Sequence, residues 1–436
     1  MNTTMRGRVG PRSRRSRLMY TVAAPALALV VLTACGGSGS GSGSGSASSS
    51  GSGGGSGTIP LGLVAPRSGS LAEFGTNLDQ GAQIAVDEIN AKGGVLGKKL
   101  SIDWRDDQST APGMTSAVRS LASAGHKLMF GFTNSAACLS ALPIADSLGA
   151  SMVGVCAAAG LTGPDRVAKN YYNISNTTHA YAVAEAQVIA KKVPTASDWY
   201  EFGFDYVTGH DEADSFFGEL KAQGQQFTLK GSTYVPLLQQ DYTTQVNALA
   251  QKLTPAGADH RALFLGTYGA GTIAFMQEAR QVGLLKDFST IVTGGNYWSS
   301  ATTLKENAPQ AWNAYDFYYD MPGNTPAAAT FVASFQAKFH KLPFSWNSEG
   351  YQSVYAYASA IKAAGSADAA KVTAALADVK VDGLTGTYGF DPTTHTPNQA
   401  IAVTLTGGDK SAPEGVKLLD SALVPAATYN DPKAKL

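Results

Sequence analysis

The feature that most constrains the fold is a regular alternation of short apolar segments with amphipathic helical segments, which begins at Thr58. The apolar run Ile59–Ala65 has the length and composition of a buried strand. Apolar residues then recur at spacings of 4, 3 and 4 across Leu78–Ile89, which predicts a helix over Phe74–Asn90. Because apolar strands need cover on both faces, the alternation predicts an α/β fold with a parallel sheet between helices.

The alternation forms two successive series of about 120 residues each, which predicts two doubly wound parallel-sheet lobes. The further predicted strands are Leu100–Trp104, Leu128–Phe132, Met152–Val155, Trp199–Phe204, Phe227–Tyr234, Ala262–Leu265 and Thr290–Thr293. The further predicted helices are Thr115–Ala124, Ala136–Leu148, His179–Lys192, His210–Ala222, Thr243–Leu253, Thr272–Val282, Ala327–Phe339 and Tyr351–Ala364. The alternating run Tyr315–Tyr319 favours one more strand, and Gly383–Phe390 a hairpin-like end.

Residues 1–34 have the parts of an export signal. Six arginines and no acid lie in Arg6–Arg17, and the 15-residue apolar run Leu18–Leu32 follows. Small residues then precede Cys35, as expected before a cleavage point. An uncleaved membrane helix is an alternative, although such helices usually need ~20 apolar residues. The export route stays open, since Ser13-Arg14-Arg15 partly matches a twin-arginine signal.

Residues 35–57 are predicted to be a tether. Residues 36–57 comprise eleven glycines, ten serines and one alanine, which cannot bury apolar surface. Such a chain behaves as a random coil with an r.m.s. reach of ~25 Å. The organisation indicates a folded body held at the outer face of a membrane.

Charge and cysteine content exclude several classes of protein. Without residues 1–34, 27 basic and 33 acidic side chains remain, a net charge of −6. A mildly acidic body does not favour binding to nucleic acid. Three cysteines cannot build a disulfide framework, and the six scattered histidines offer no metal-ligand spacing. We expect no metal site.

No catalytic or cofactor motif stands out, so we expect neither enzymatic activity nor a cofactor. HExxH, CxxC, GxSxG and the phosphate-binding loop are missing from the sequence. Gly269–Ala274 has the form GxGxxA, but a dinucleotide site also needs an acid after the next strand, and Asp287 precedes it. The aspartates at 103, 106 and 107 are expected in a solvated turn rather than as a catalytic pair.

The ends of the predicted strands locate a candidate site. Ligands of open parallel sheets bind beyond the carboxyl ends of the strands. This rule selects the loops that follow Ala65, Phe132, Val155, Phe204, Leu265 and Thr293. Ser135 lies at a predicted helix N-terminus, where a hydroxyl and free N–H groups suit a carboxylate.

Cys138 and Cys156 are predicted close together because they flank the carboxyl ends of neighbouring strands. Adjacent strands lie ~4.8 Å apart, and a disulfide needs Cα atoms within ~7 Å. An exported chain favours such a bridge. The alternative is a pair of buried, reduced cysteines.

Several segments in order resemble the type I periplasmic binding proteins, and more narrowly the branched-chain amino acid (Leu/Ile/Val) receptor family of ABC importers. The matching segments are Leu61–Pro66, Ser68–Ser70, Phe74-Gly75, Gly81-Ala82, Ala85-Val86, Glu88–Asn90, Gly93–Gly97, Asp106–Ser109, Gly131–Ser135 and Tyr388–Asp391. The match spans about residues 58–425. Leu32–Cys35 also resembles the lipobox of bacterial lipoproteins, in which Cys35 would carry the lipid.

The resemblance implies two lobes joined by a three-crossover hinge. Lobe 1 would comprise residues 58–177 plus 322–381, and lobe 2 residues 178–311 plus 382–436. It further implies a monomeric, extracytoplasmic lipoprotein. Such a receptor encloses a small molecule between its lobes and delivers it to membrane permease subunits of an ABC transporter.

The resemblance also implies roles for individual residues. Ser135 would hold the ligand carboxylate, and Cys156 and Ala158 would receive its amine. Thr133, Asn134 and Ala157, beside them in sequence, are also expected to bind the ligand. Phe74 and Tyr268 would close over the ligand from the two lobes, with Ser70 in the first loop.

Three positions depart from the family pattern. Ala158 replaces a threonine, Thr208 replaces an aromatic residue, with Tyr206 nearby, and the uncharged Asn296 stands where an acid should pair with the amine. An unpaired buried ammonium is costly. We therefore expect a branched-chain or related amino acid, an amide or another small carboxylate. A sensing module for a signalling partner is the alternative function.

Overall fold

The computed structural model of the protein describes residues 57–69, 71–156, 158, 160–237, 239–253, 257–295 and 297–429. The predicted export signal, Cys35 and linker residues 36–56 lie outside these ranges. Within them, no helix combines the length and the apolarity that crossing a bilayer requires.

Lobe 1 is built on a five-stranded parallel sheet with the strand order β2-β1-β3-β4-β5. Its strands are β1 (Thr58–Ala65), β2 (Lys99–Asp106), β3 (Leu128–Gly131), β4 (Ser151–Gly154) and β5 (Tyr171–Asn173). The helices between them are α1 (Ala72–Ala91), α2 (Ala111–Ser123) and α3 (Ser135–Ser147). Their apolar faces bury both sides of the sheet, as the alternation predicted.

Lobe 2 repeats the pattern with five strands and five helices. The strands are β6 (Asp198–Phe204), β7 (Thr228–Val235), β8 (Arg261–Gly266), β9 (Thr290–Thr293) and β10 (Ala311–Tyr315). The helices are α4 (Thr178–Lys192), α5 (Val207–Ala222), α6 (Thr243–Lys252), α7 (Ala270–Gln281) and α8 (Tyr297–Leu304). Two cores, one on each face of the sheet, contain most of the apolar residues of this lobe.

The rest of the chain returns to lobe 1 and then to lobe 2. Three helices, α9 (Pro326–Phe339), α10 (Ser345–Ala364) and α11 (Ala369–Leu376), and the hairpin of β11 (Val381–Gly383) and β12 (Gly386–Tyr388) join the lobe 1 core. The last strands, β13 (Ile401–Gly408) and β14 (Val416–Val424), extend the lobe 2 sheet to the order β14-β13-β10-β9-β8-β6-β7. The chain therefore passes between the lobes three times: after β5, after β10 and after β12.

The structure corrects three expectations. The lobe 2 sheet is mixed rather than purely parallel, because β13 runs antiparallel to β10 and β14 antiparallel to β13. The strand expected over Tyr315–Tyr319 ends at Tyr315, since the chain turns there to bury Asp316. The third crossover lies later than residue 382, because Leu384 and Phe390 are part of the lobe 1 core.

A sharp turn after β3 directs the chain toward the space between the lobes. Gly131 and Phe132 both have positive φ, 106° and 60°. A Cβ at Gly131 would lie 2.4 Å from the Val64 carbonyl oxygen, so only glycine fits. The bulky Phe132 in this region is strained, and such strain concentrates at functional sites. The turn leads directly into the N-terminus of α3.

Candidate ligand-binding cleft

A cavity of about 120 Å³ lies between the two lobes. From lobe 1 it is lined by Leu71, Phe74, Thr133, Asn134, Ser135, Val155, Ser345, Trp346 and Glu349. From the first crossover and lobe 2 it is lined by Ser175, Thr178, Tyr181, Glu185, Tyr206, Thr208, Glu212, Leu237, Tyr268, Gly295, Ala314 and Tyr315. Five of the six strand-end loops selected from the sequence contribute lining residues, and at the sixth Val155 itself lines the cavity but no described residue of the loop after it does.

Seven residues singled out in the sequence come together on this cavity: Phe74, Thr133, Asn134, Ser135, Tyr206, Thr208 and Tyr268. Cys156 and Ala158 do not line it. Both are buried in the core behind the cleft, where the Cys156 N–H donates to the Tyr171 hydroxyl (3.0 Å). Their expected part in amine binding has no support from their position. Ser70, Ala157 and Asn296 lie outside the described residues.

The structure joins Cys138 and Cys156 by a disulfide, with their Cα atoms 6.7 Å apart. The bond links the first turn of α3 to the residue two positions after β4. Both residues are fully buried. The bridge thus lies behind two of the strand-end loops that form the lobe 1 wall.

The N-terminus of α3 presents hydrogen-bond donors to the cleft. Asn134 caps the helix, because its Oδ1 accepts from the Ala137 N–H (2.9 Å) and its Nδ2 donates to the Ser109 carbonyl (2.8 Å). The hydroxyl of Tyr206, from lobe 2, accepts from the Ala136 N–H and donates to Asn134 Oδ1, each at 3.2 Å. A lobe 2 side chain therefore occupies donors expected to bind a ligand carboxylate.

An aromatic pair covers another part of the lobe 1 wall. Phe74 and Trp346 stack with ring centroids 4.5 Å apart and ring planes 5° from parallel. The sequence analysis did not find Trp346, which lies in the first turn of α10 and reaches the cleft only because that helix returns to lobe 1. The pair offers a flat apolar face to a ligand.

Glu212 and Tyr268 form a hydrogen-bonded unit on the lobe 2 wall. The Tyr268 hydroxyl donates to Glu212 Oε2 (3.1 Å), and the Gly295 N–H donates to Oε1 (3.2 Å). Burial raises the pKa of Glu212 from 4.5 to about 7. A Cβ at Gly295 would lie 2.2 Å from the Tyr268 ring, so this close approach needs glycine.

Two further buried carboxyl groups line the cavity. Glu185 Oε1 accepts from the Ala314 N–H (2.7 Å), and Glu349 Oε1 accepts from the Ser345 hydroxyl (3.1 Å). Burial raises the pKa of both well above the ordinary value, as does a neighbouring acid in each case. The sequence analysis missed all three glutamates. The position of Glu185 within the largely apolar segment Ala182–Ile189 could have pointed to a functional role, because unpaired acidic side chains are rarely buried.

The cleft contains acidic groups although Asn296, where the family pattern places an acid, is uncharged. Helices α4, α5 and α10 supply three carboxyl groups to its lining. The described lining residues include no lysine, arginine or histidine. Throughout the described ranges, no group of three or more histidine, cysteine or acidic side chains is arranged to hold a metal ion.

Two α/β lobes, three crossovers and a cavity at the strand ends of both sheets define a two-lobed ligand-binding protein. The sequence profile of the periplasmic binding protein family matches residues 58–409. The chain therefore belongs to that family, whose members are solute-binding receptors.

Known proteins agree with this assignment. The chain is 27% identical over 342 residues to Leu/Ile/Val-binding protein homolog 7 of Brucella suis biovar 1 (strain 1330), a match that covers 76% of this chain and 84% of the relative. It shares the fold of an ABC transporter solute-binding protein from Rhodopseudomonas palustris BisB5, solved in complex with 3,4-dihydroxybenzoic acid (TM-score 0.74, 20% identity, 87% and 99% of the two chains). An ABC-type branched-chain amino acid transporter protein from Rhodopseudomonas palustris CGA009 is also similar (TM-score 0.69, 20% identity, 86% and 98%).

Proposed function

We propose that the protein is the extracytoplasmic receptor of an ABC importer, and that it captures a small polar solute by closing its lobes on a hinge. The observation that carries this proposal is the cavity, which both lobes line with loops from the carboxyl ends of their strands. The solute would then pass to permease subunits in the membrane. The names of the similar proteins, which refer to branched-chain amino acids and to a benzoic acid, support a ligand of that size.

Direct contacts between the lobes support closure as the capture step. Besides the bonds of Tyr206 to the α3 N-terminus, the Ser299 hydroxyl of lobe 2 donates to Glu73 Oε1 of lobe 1 (3.4 Å). The Leu342 N–H, in the connection between α9 and α10, donates to Glu414 Oε1 of lobe 2 (3.0 Å). These bonds join parts of the chain that an open hinge would separate.

The binding test is a thermal-shift screen of the mature protein with amino acids, amides, benzoate and hydroxybenzoates. A specific solute at 100 times its Kd raises the free energy of unfolding by about 2.7 kcal/mol. Small-angle scattering checks that the same solute makes the protein more compact. If no solute from these classes stabilises the protein or changes its scattering, the receptor function is wrong.

Substitutions on the two walls test the place of binding. We expect Ser135→Ala in lobe 1 and Tyr268→Ala in lobe 2 each to weaken binding of the identified solute. Wild-type affinity in both variants would show that the solute binds elsewhere.

We also propose that Cys35 carries a lipid that anchors the mature protein to the outer face of the cytoplasmic membrane. The sequence Leu32–Cys35 and the Gly/Ser-rich segment after it support this proposal. Cys35→Ala is expected to move the protein from the detergent phase to the aqueous phase in a phase-partition assay. A variant that stays in the detergent phase would show that another segment anchors it.

A further inference from the structure

The three glutamates of the cleft come from both lobes and are almost completely buried. Glu185 on α4 and Glu212 on α5 belong to lobe 2, and Glu349 on α10 belongs to lobe 1. Their exposed fractions are 1%, 3% and 4%. Acidic side chains are seldom buried this deeply unless a partner compensates them.

The glutamates differ in the hydrogen-bond partners that the protein supplies to their carboxyl oxygens. Both oxygens of Glu212 accept hydrogen bonds, from Tyr268 and from the Gly295 N–H. Oε2 of Glu185 finds no hydrogen-bond partner within the described part of the chain, and the same holds there for Oε2 of Glu349. A buried acceptor without a hydrogen-bond partner costs free energy. A ligand that donates a hydrogen bond to one of these oxygens removes that cost and so gains binding free energy.

Glu185 and Glu349 lie at the same end of the cavity. Tyr181 is one helical turn before Glu185, on the same face of α4. Its hydroxyl donates to Asp316 Oδ2 (2.5 Å), and Asp316 is close enough to Glu349 to raise the pKa of that group. Glu185 and Glu349 therefore lie near one region of the cavity lining, beside the first and second crossovers.

The groups that face this region are acidic or neutral. Besides burial, Glu212 raises the pKa of Glu185, and Asp316 raises that of Glu349. Beyond the effect of burial, Glu185 in turn raises the pKa of Tyr315, and Glu349 raises the pKa of Tyr181 and Tyr171. No basic side chain is among the described residues lining the cavity. The protein itself thus supplies no positive charge to this end of the cleft.

We propose that the solute carries a cationic nitrogen with N–H donors, as in an amine, amidine or guanidine, and that this group binds Glu185 and Glu349. The proposal rests on the proposed function and specifies the class of solute. Because the two carboxyl groups belong to different lobes, a cation held by both binds the closed form more strongly than an open one. The cation thereby contributes to closure of the lobes.

The rest of the cavity suits the body of such a solute. A cavity of ~150 Å³ in a protein core holds a benzene ring, so about 120 Å³ admits a small ring or a short carbon chain. The Phe74–Trp346 stack and the tyrosines provide aromatic faces that attract both apolar groups and cations. The N–H groups at the start of α3 suit an anionic or polar group at the other end of the solute, if Tyr206 moves aside.

Proton release distinguishes a cationic from an anionic solute. Burial raises the pKa of Glu185 and of Glu349 and so favours their protonated forms, whereas pairing with a cation favours the carboxylates and releases protons. Affinity for a cation therefore rises with pH. An anion held by the protonated acids would bind more weakly as pH rises.

The experiment compares matched solutes on the mature protein by titration calorimetry. The pairs are 4-(aminomethyl)benzoate against 4-(hydroxymethyl)benzoate, and 5-aminopentanoate against 5-hydroxypentanoate, each in two buffers of different ionisation enthalpy at pH 5.5 and 7.5. We expect at least one amine to bind at least tenfold more tightly than its hydroxyl partner, with release of protons and higher affinity at pH 7.5. Stronger binding of the hydroxyl partners, or of simple carboxylates, would overturn the proposal.

Charge-removing variants locate the cation. Glu185→Gln and Glu349→Gln keep the side-chain shape and should each lower the affinity for the amine tenfold or more. Glu88→Gln is the matched control, because Glu88 also has an oxygen without a partner but lies on α1 outside the cavity, bonded by Tyr351 and Tyr355. It should leave affinity unchanged. Wild-type affinity in both cleft variants would overturn the assignment.

The two proposals fail in different ways. If carboxylates or amides bind in the cleft and cationic solutes do not, the receptor function stands and the cation site is wrong. If neither these pairs nor the wider solute screen yields a ligand, the receptor function fails, and the cation site fails with it.

Discussion

The two lobes share a topology but contribute different chemistry to the cavity between them. Lobe 1 presents backbone N–H groups at the start of α3 and the stacked rings of Phe74 and Trp346. Lobe 2 presents hydroxyl and carboxyl groups, with Glu212 bonded to Tyr268. Among the described lining residues of lobe 1, Glu349 alone carries a carboxyl group. The same strand-end position therefore carries different functions, set by the side chains that follow each strand.

The lobes also differ in how tightly they are held. In lobe 1, α1 and α10 approach so closely that Gly81 and Gly350 lie against the backbone of the opposite helix, and the Cys138–Cys156 disulfide lies behind the wall. Lobe 2 contains no cysteine, and burial raises the pKa of Glu212 in its wall to about 7. The comparison indicates a preorganised wall in lobe 1 and a pH-sensitive group in the wall of lobe 2.

The largest expected effect comes from a substitution that disrupts the close packing of lobe 1. A Cβ at Gly81 would lie 1.7 Å from the Asn347 carbonyl oxygen, so Gly81→Ala must push the two helices apart. We expect the free energy of unfolding to fall by about 3 kcal/mol or more. Urea denaturation followed by circular dichroism measures it.

The matched control is Gly218→Ala on α5 of lobe 2, where no atom lies within 4 Å of the added Cβ. Alanine there should stabilise the protein by about 0.5–1 kcal/mol, because glycine is unfavourable inside a helix. Equal effects of the two substitutions would contradict the difference in packing between the lobes.

The disulfide is expected to stabilise lobe 1 specifically. It closes a loop with a sequence separation of 18 residues, for which the chain-entropy model gives roughly 3 kcal/mol. The Cys138→Ala, Cys156→Ala double variant should lose this amount in urea denaturation, and dithiothreitol should have no further effect on it. Mass spectrometry of the unreduced, alkylated protein checks the bond itself, since two free thiols on the mature body would rule it out.

The pH dependence of the unfolding free energy should distinguish the two lobes. Burial raises the pKa of Glu212 in lobe 2 from 4.5 to about 7, and that of Asp107 in lobe 1 from 3.8 to about 6. A raised pKa in the folded state means that the folded protein binds more protons than the unfolded chain. Each group thus adds to the unfolding free energy when the pH is below its pKa in the unfolded chain. This contribution is lost as the pH rises toward its pKa in the folded protein, by up to about 1.4 kcal/mol per pH unit.

Between pH 6 and pH 7, therefore, Glu212 releases more protons than Asp107, which is already partly deprotonated at pH 6. Glu212→Gln should reduce the decline of the unfolding free energy over this interval more than Asp107→Asn does. Urea denaturation at intervals of half a pH unit measures both slopes. The reverse pattern would show that lobe 1 contains the group that titrates near neutral pH.

The smallest expected effect concerns the bond between the walls. Tyr206→Phe removes the hydroxyl that bonds Asn134 and the Ala136 N–H. We expect a loss of about 1 kcal/mol in unfolding free energy, together with a larger radius of gyration in small-angle scattering as the lobes separate. An unchanged radius would show that other contacts hold the lobes together.

Local pattern in the sequence predicts much of the fold and part of the site. Alternating apolar strands and helices require covered parallel sheets, so the two lobes follow from periodicity and burial. The six strand-end loops follow from the rule for ligand sites in such sheets, and five of them contribute described residues to the cavity lining. Ser135 and Tyr268 were found in this way and through the family resemblance.

Tertiary structure alone determined the charge of the cleft. Glu185 and Glu349 lie within helices, far from any strand end in sequence, and reach the cavity because α4 and α10 lie beside the crossovers. The antiparallel strands β13 and β14 were also unpredicted, and β13, with which β14 pairs, joins the sheet through β10, about 90 residues earlier in the chain. A sequence pattern shows which face of a helix or strand is buried. It does not show which other helix or strand covers that face, because this depends on contacts between residues that are distant in sequence. For this protein, the sequence determined that a cleft forms between two lobes, and long-range packing decided that three acids line it.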